Sequence, residues 1–269
     1  MVLHIAIEGV DGVGKSTMVS KLQEFFKNKK YNVRIAAQPI NKEVIEILEN
    51  YNLSNHEIAL LMAFDRSFSY YGEDWEQYDL VIWDRSILSS YVYNTDKTVP
   101  NLFIKQINRY FPDMDLYIVI RTDEYSAEQD YTHQKHYDLI KKYDNFIKSK
   151  DNIISVEYIE DKPELVFESI VKALFDNLPR CNWCGRIFTP SKKYKRYCKE
   201  DCRKNSLSEQ YRINNRNYYN RYKDVMSEKQ KGGLGSKGAN LHGTPDPNPI
   251  KELRKVRNAM KAQGLKPIQ

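Results

Sequence analysis

Gly9-Val10-Asp11-Gly12-Val13-Gly14-Lys15-Ser16-Thr17 is the stretch that decides the fold. It fits G-x-x-x-x-G-K-[ST], the pattern of a phosphate-cradling loop. Glycines let successive backbone N–H groups turn inward around phosphate oxygens. The helix that follows adds the partial positive charge of its N-terminus. Lys15 then reaches the β- and γ-phosphates, and the Ser16 hydroxyl ligates Mg²⁺. Gly9, Gly12, Gly14, Lys15, Ser16 and Thr17 are therefore the candidate ligands of ATP and its metal. A chance glycine-rich turn is the alternative. The context argues against it, because an apolar strand candidate at residues 2–7 precedes the loop and an amphipathic helix candidate follows it.

Outward from the loop, apolar runs alternate with helical periodicity. Strands are expected at residues 2–7, 32–37, 80–83, 116–120 and 153–156. Several are too continuously apolar to be half-exposed, as suits strands covered on both faces. Helices are expected near 15–29, 41–50, 54–71, 86–94, 99–110, 135–149 and 163–177. This alternation predicts an α/β fold, a five-stranded parallel sheet with helices on both faces.

The charge divides the chain. Residues 1–179 hold 20 Lys+Arg and 29 Asp+Glu, a net charge of −9, whereas the remaining 90 residues carry +15. Such asymmetry predicts two regions with different partners. The expected organisation is a P-loop domain at 1–179, a four-cysteine module at 180–204, a basic tyrosine-rich helix at 205–230, and a Gly/Pro-rich linker with a short basic helix at 231–269. No apolar run approaches the roughly 20 residues that span a bilayer, so no membrane association is expected. Residues 2–7 lack a preceding basic region and read as a strand, not a signal peptide. All four cysteines fall between 181 and 202, which favours a reducing, cytoplasmic location over a disulfide framework.

Four stretches carry a resemblance. Glu8 with the loop that follows resembles the thymidylate kinase family of nucleoside monophosphate kinases. Leu60-Leu61-Met62-Ala63-Phe64-Asp65-Arg66 is similar to that family's helix ending in a base-facing arginine. Val81-Ile82-Trp83-Asp84-Arg85-Ser86-Ile87-Leu88-Ser89-Ser90-Tyr91-Val92-Tyr93 resembles its strand-end Asp-Arg motif and substrate helix. Pro112-Asp113-Met114-Asp115-Leu116-Tyr117-Ile118-Val119-Ile120 resembles its next core strand. The resemblance spans about residues 1–178. It implies phosphoryl transfer from ATP to a nucleoside monophosphate, with dTMP the expected acceptor, and a homodimer. Lys15, Asp11 and Arg85 are implied as catalytic, with Asp11 beside the transferred phosphoryl and Arg85 clamping the acceptor phosphate. Asp84 is implied to hold Mg²⁺ through water. Arg66, Ser90 and Tyr93 are implied to line the base and sugar pocket. Read without the resemblance, Asp84-Arg85 is a local ion pair, Arg66 a solvated helix residue and Tyr93 a core aromatic.

This chain also departs from the family pattern. An arginine and an acid usually precede the proline after the second strand; here the stretch is Ala36-Ala37-Gln38-Pro39, which removes one acceptor-phosphate ligand. The base-stacking aromatic, four residues before the arginine, is Met62, and Phe64 points elsewhere on a helix. The lid-like segment 122–136 contains acids but no arginine; Arg121 precedes it, and His133, Lys135 and His136 close it. An arginine finger is worth about 10³–10⁵ in rate. A slow kinase, an altered acceptor such as a modified nucleotide or polynucleotide end, and an ATP-sensing nucleic-acid-binding protein therefore stand as alternatives.

Cys181-x₂-Cys184-x₁₃-Cys198-x₃-Cys202 has the spacing of two metal-binding knuckles, and four thiolates close a structural Zn²⁺ site. Gly185 suits the turn after the first pair. Residues 181–190 and 197–203 resemble small zinc modules of the zinc-ribbon or treble-clef kind. Lys192, Lys193, Lys195, Arg196, Lys199, Arg203 and Lys204 surround the module, and Arg212, Arg216, Arg221 and Lys223 continue the run between Tyr211, Tyr218, Tyr219 and Tyr222. Cations neutralise phosphates and tyrosines stack on bases, so DNA or RNA is an expected partner of residues 180–230. A solvated basic helix is the bland alternative.

Overall fold

A computed structural model describes residues 2–124, 132–190 and 195–232, with side chains to residue 220. The elements run β1 (Leu3–Gly9), α1 (Lys15–Asn28), β2 (Val33–Ala37), α2 (Lys42–Asn50), α3 (Asn55–Gly72), β3 (Leu80–Asp84), α4 (Ile87–Tyr93), α5 (Asn101–Ile107), β4 (Leu116–Arg121), α6 (His133–Ser149), β5 (Ile153–Glu157), α7 (Pro163–Asn177) and α8 (Glu200–Gly232). All five strands are parallel, in the order β2-β3-β1-β4-β5. The expected α/β sheet is thus the observed one. Expected strand and helix ends fall within a few residues of those observed; the helix expected at 99–110 is trimmed to α5 because Pro100 caps its start. A 3₁₀ turn, Trp75–Gln77, has no counterpart in the expectations.

The sequence explains these elements locally. Ile5, Ala6 and Ile7 of β1 are fully buried, as a central strand flanked on both faces requires. Ser54 and Glu57 form a reciprocal capping box that starts α3. Pro163 opens α7, where its missing N–H is not needed.

Register then positions the site. Ile7 pairs with Asp84, and Gly9 pairs with Ile120. The carboxyl ends of β1, β3 and β4 therefore meet where the chain turns into α1. That is the crevice where open parallel sheets bind ligands.

The chain forms two compact units, Met1–Gln210 and Tyr211–Gln269. The main core of the first unit wraps the sheet and takes in Ile187 from the cysteine-bearing segment. The basic helix expected over residues 205–230 lies within the longer α8. Of the linker and last basic helix expected at 231–269, residues 231 and 232 end α8 and the rest lie outside the described residues, as do Lys192 and Lys193.

Candidate nucleotide site and four-cysteine cluster

The loop after β1 has the backbone that phosphate binding needs. Gly9 has φ 144°, and a Cβ there would meet the Ile120 carbonyl oxygen at 2.5 Å. Gly14, at φ 72°, is the N-cap of α1. Both conformations are ones that L side chains rarely adopt. Lys15 is buried, its Nζ donating to the Val10 carbonyl oxygen at 2.7 Å and lying 3.8 Å from Asp11 Oδ1. Burial, and then the neighbouring Arg85, lower its pKa to about 8, against the pull of Asp11, Asp84 and Glu8.

Asp84 ends β3, one strand away. Ser16 Oγ donates to Asp84 Oδ2 at 2.6 Å, so the two oxygen ligands suited to a hard cation stand side by side. Arg85 follows in the left-handed region, φ 68°, held by its N–H to the Ile7 carbonyl at 3.1 Å. A non-glycine residue there is uncommon and persists only where its surroundings hold it. The Arg85 guanidinium is ion-paired with Asp11, donates to Ser89 Oγ at 3.3 Å and lies 5.0 Å over the Tyr93 ring. Tyr93 Oη donates to Asp11 Oδ2 at 3.4 Å. Arg85 thus pairs with Asp11 and not with the adjacent Asp84. Asp11, Gly12, Gly14, Lys15, Ser16, Thr17, Asp84 and Arg85, together with Ala37 and Gln38, line one cavity of about 420 Å³.

Comparison with known proteins agrees with this geometry. The thymidylate kinase family model matches residues 7–170, more than half of the chain. A probable thymidylate kinase 1 of Saccharolobus solfataricus is 31% identical over 193 residues, covering 65% of this chain and 97% of that protein. The chain belongs to the thymidylate kinase family. A probable thymidylate kinase of Sulfurisphaera tokodaii is 26% identical over 186 residues, 62% of this chain and 97% of that protein. The crystal structure of thymidylate kinase from Ehrlichia chaffeensis shares the fold, with a TM-score of 0.55 at 22% identity over 64% of this chain and 98% of that one. Membership makes the chain a nucleoside monophosphate kinase. Among the described residues no helix is long and apolar enough to cross a membrane.

In this thymidylate kinase family member, the wall beside the cavity holds a buried cation. Arg66 is fully buried, which excludes the solvated-helix reading. It donates to Asn108 Oδ1 at 2.9 Å, Gln38 Oε1 at 3.0 Å and Ser90 Oγ at 2.7 Å. The hydrogen-bond partners of this buried cation are all neutral. Arg66 and Ser90 are joined, and Gln38 links them to the cavity. Because a guanidinium only donates, Gln38 must present Oε1 to Arg66, which leaves Nε2 as the group facing elsewhere. Nε2 is buried and has no hydrogen-bond partner among the described residues.

Two site residues were missed by reading the sequence. Gln38 registered there only as a lost charge. Glu8 is fully buried and accepts from Ser86 Oγ and Ser89 Oγ, each at 2.6 Å, and from Tyr143 Oη at 3.2 Å. Burial raises its pKa against the pull of those hydroxyls. Glu8 thereby ties the phosphate-loop strand to the start of α4, the helix that presents Ser89, Ser90 and Tyr93. Glu8, Ser86 and Ser89 stand in the quoted motifs without a role, and nothing in the sequence signals Tyr143 on α6.

Arg121, the arginine nearest the lid, is bonded to Asp144 and Asp123, at 2.9 and 3.0 Å, with Glu157 3.9 Å away. Residues 125–131 of the lid-like segment lie outside the described residues. Phe64 is exposed on α3, as expected from its helical position.

The family match ends before the cysteines. The ligand atoms of Cys181, Cys184, Cys198 and Cys202 lie within 4.8 Å of one another, a group able to hold a metal ion. Cys198 Sγ is 3.5 Å from Cys184 Sγ and 3.6 Å from Cys202 Sγ. Tetrahedral Zn–S bonds of about 2.3 Å require sulfurs about 3.8 Å apart, so the cluster fits. Gly185, at φ 71°, makes the expected turn, its N–H donating to the Cys181 carbonyl at 2.9 Å.

Proposed function

We propose that this chain transfers the γ-phosphoryl group of ATP to dTMP, giving ADP and dTDP. The observation that carries this reading is the convergence of the Ser16–Asp84 and Arg85–Asp11 pairs on one cavity at the ends of β1 and β3. The phosphate loop and Lys15 hold the β- and γ-phosphates of ATP. Ser16 and Asp84 would hold Mg²⁺, which would neutralise charge on those phosphates. Arg85 clamps the acceptor phosphate beside Asp11. An acceptor phosphate oxygen attacks the γ-phosphorus in line, its new P–O bond replacing the bond to the bridging oxygen of departing ADP. Arg66, Ser90 and Tyr93 shape the base and sugar end. The chemistry needs positioning and charge more than covalent help. Purified protein with ATP, Mg²⁺ and a panel of nucleoside monophosphates tests this against Lys15→Ala. dTDP formation that the variant loses supports it; intact ATP binding with no turnover on any acceptor replaces it with the ATP-sensing reading.

The four cysteines are assigned to one structural Zn²⁺, supported by their spacing and mutual distances. Thiolate ligands of this kind persist in a reducing compartment, which supports a cytoplasmic location. Nucleic acid is assigned to the basic segment between the cysteines and residue 220. Arg212 and Arg216 are exposed there, as are Tyr211 and Tyr219, so cations and stacking faces occur in one segment. Retention of the full chain on single-stranded DNA or RNA, lost with rising salt and with Arg212→Glu and Arg216→Glu together, supports this assignment. Salt-independent retention, or none at low ionic strength, excludes it. A homodimer is assigned to α3, where Leu60, Phe64, Phe68 and Tyr71 form an exposed apolar stripe. A stripe on one helix face is self-complementary across a two-fold axis.

A further inference from the structure

The cysteine module closes onto the amino ends of the strands, opposite the nucleotide cavity, and one side chain gathers it there. Asp79 immediately precedes β3. Its N–H donates to the Asn32 carbonyl at 2.9 Å, and its carbonyl accepts from Leu3 N–H at 3.3 Å. Its carboxylate accepts from Asn32 N–H at 3.0 Å and from Arg186 Nη1 at 3.3 Å, with Lys199 Nζ at 3.2 Å. Asp79 therefore touches the starts of β1, β2 and β3 on one side and the module on the other.

The two cations come from different knuckles. Arg186 lies two residues after Cys184, and Lys199 directly follows Cys198. An ion holding those two cysteines fixes both cations over one carboxylate. Arg186 also donates to the Lys30 carbonyl at 2.6 Å, and its guanidinium lies 4.8 Å over the Tyr31 ring. Tyr31 Oη accepts from the Ile187 N–H at 2.9 Å, and Ile187 is buried in the sheet's own core.

We infer that the metal-loaded four-cysteine module is a fastener for the kinase sheet, coupling metal occupancy to the stability of the amino ends of β1, β2 and β3 through Asp79, Arg186 and Lys199. The inference rests on the assignment of a metal to the cysteines. Binding energy at such a site appears as folding energy. The strand separates fastener from chemistry, since Asp79 and Asp84 are five residues and about 17 Å apart along β3. Metal loss therefore acts on stability and leaves substrate handling unchanged.

The test uses the full chain purified in the presence of Zn²⁺, with metal counted by elemental analysis before and after chelation. About one metal per chain is expected. Chelation should lower the Tm of the cooperative unfolding transition by ~5 °C or more. Hydrogen exchange should accelerate in peptides covering residues 29–34 and 78–82 and stay the same over residues 9–17. KM for ATP and for the monophosphate, measured at 25 °C, should change less than twofold. In Arg186→Ala with Lys199→Ala, metal should still bind, but chelation should no longer move Tm. One removable metal per chain with unchanged Tm and exchange overturns the inference, as does a double variant that still loses the full Tm increment on chelation. A metal count near zero overturns it by removing the metal assignment itself. Absent turnover with a normal metal count and the expected Tm shift leaves the fastener supported and removes only the kinase reading.

Discussion

Ser16 Oγ and Asp84 Oδ2 are hydrogen-bonded at 2.6 Å although 68 residues separate them in the chain. The first lies at the start of α1 and the second at the end of β3, and the pairing of Ile7 with Asp84 brings the two ends together. Removing either oxygen should weaken the hold on Mg²⁺ more than the hold on the acceptor. Ser16→Ala and Asp84→Asn are each expected to lower kcat by about 10²-fold and to raise the Mg²⁺ concentration needed for half-maximal rate. Magnesium titrations at saturating ATP and dTMP check this. An unchanged half-saturating concentration would remove Asp84 from the metal site.

Gln38 lines the cavity together with Arg85, and its buried Nε2 has no hydrogen-bond partner among the described residues. A hydrogen bond to a charged group contributes about 1.5–3 kcal/mol. Gln38→Leu should therefore raise KM for the monophosphate about tenfold or more and leave kcat within a few-fold. Steady-state kinetics with varied acceptor separate the two constants. A drop confined to kcat would place Gln38 outside acceptor binding.

Lys15 has a pKa lowered to about 8 by burial and by Arg85. Bound phosphates favour its charged form, so nucleotide binding raises that pKa and takes up a proton. The sign follows directly: ATP affinity is full below about pH 8 and declines as pH rises above it. Calorimetry at pH 8 in two buffers of different ionisation enthalpy should show about half a proton taken up per ATP. Lys15→Arg should lose both the uptake and the decline, because a guanidinium stays charged there.

The α3 stripe makes a hydrodynamic prediction. The Phe64 and Phe68 rings stack on each other at 5.8 Å, both exposed. Phe64→Glu with Phe68→Glu should convert a dimer of about twice the chain mass to a monomer in sedimentation, since charge on a desolvated apolar face is costly. Wild-type protein that sediments as a monomer at micromolar concentration refutes the assignment.

The fold was legible because its signals are local. Continuous apolar runs at β1, β3 and β4 mark strands buried on both faces, and the phosphate-loop motif marks the strand-to-helix turn. The ligand oxygens of Ser16 and Asp84 were also within reach, since each sits at a strand or helix end. What stayed hidden depends on distant packing. Tyr143 contributes its hydroxyl to Glu8 from 135 residues away. Gln38 matters through the direction of one amide, which only its contact with Arg66 defines. Asp79 meets Arg186, 107 residues away, and Lys199 only through packing that no local signal encodes.

The parallel register of β1 and β3 also limits which changes the gene can carry. A one-residue slip would carry Asp84 about 3.3 Å along the sheet and turn its side chain to the opposite face, away from Ser16. Insertions and deletions are therefore excluded from residues 3–9 and 80–84, while the connections around α2 and α3 remain free to change length. Lineages of this kinase should diverge by loop length in the connections around α2 and α3, and hardly at all within the strands.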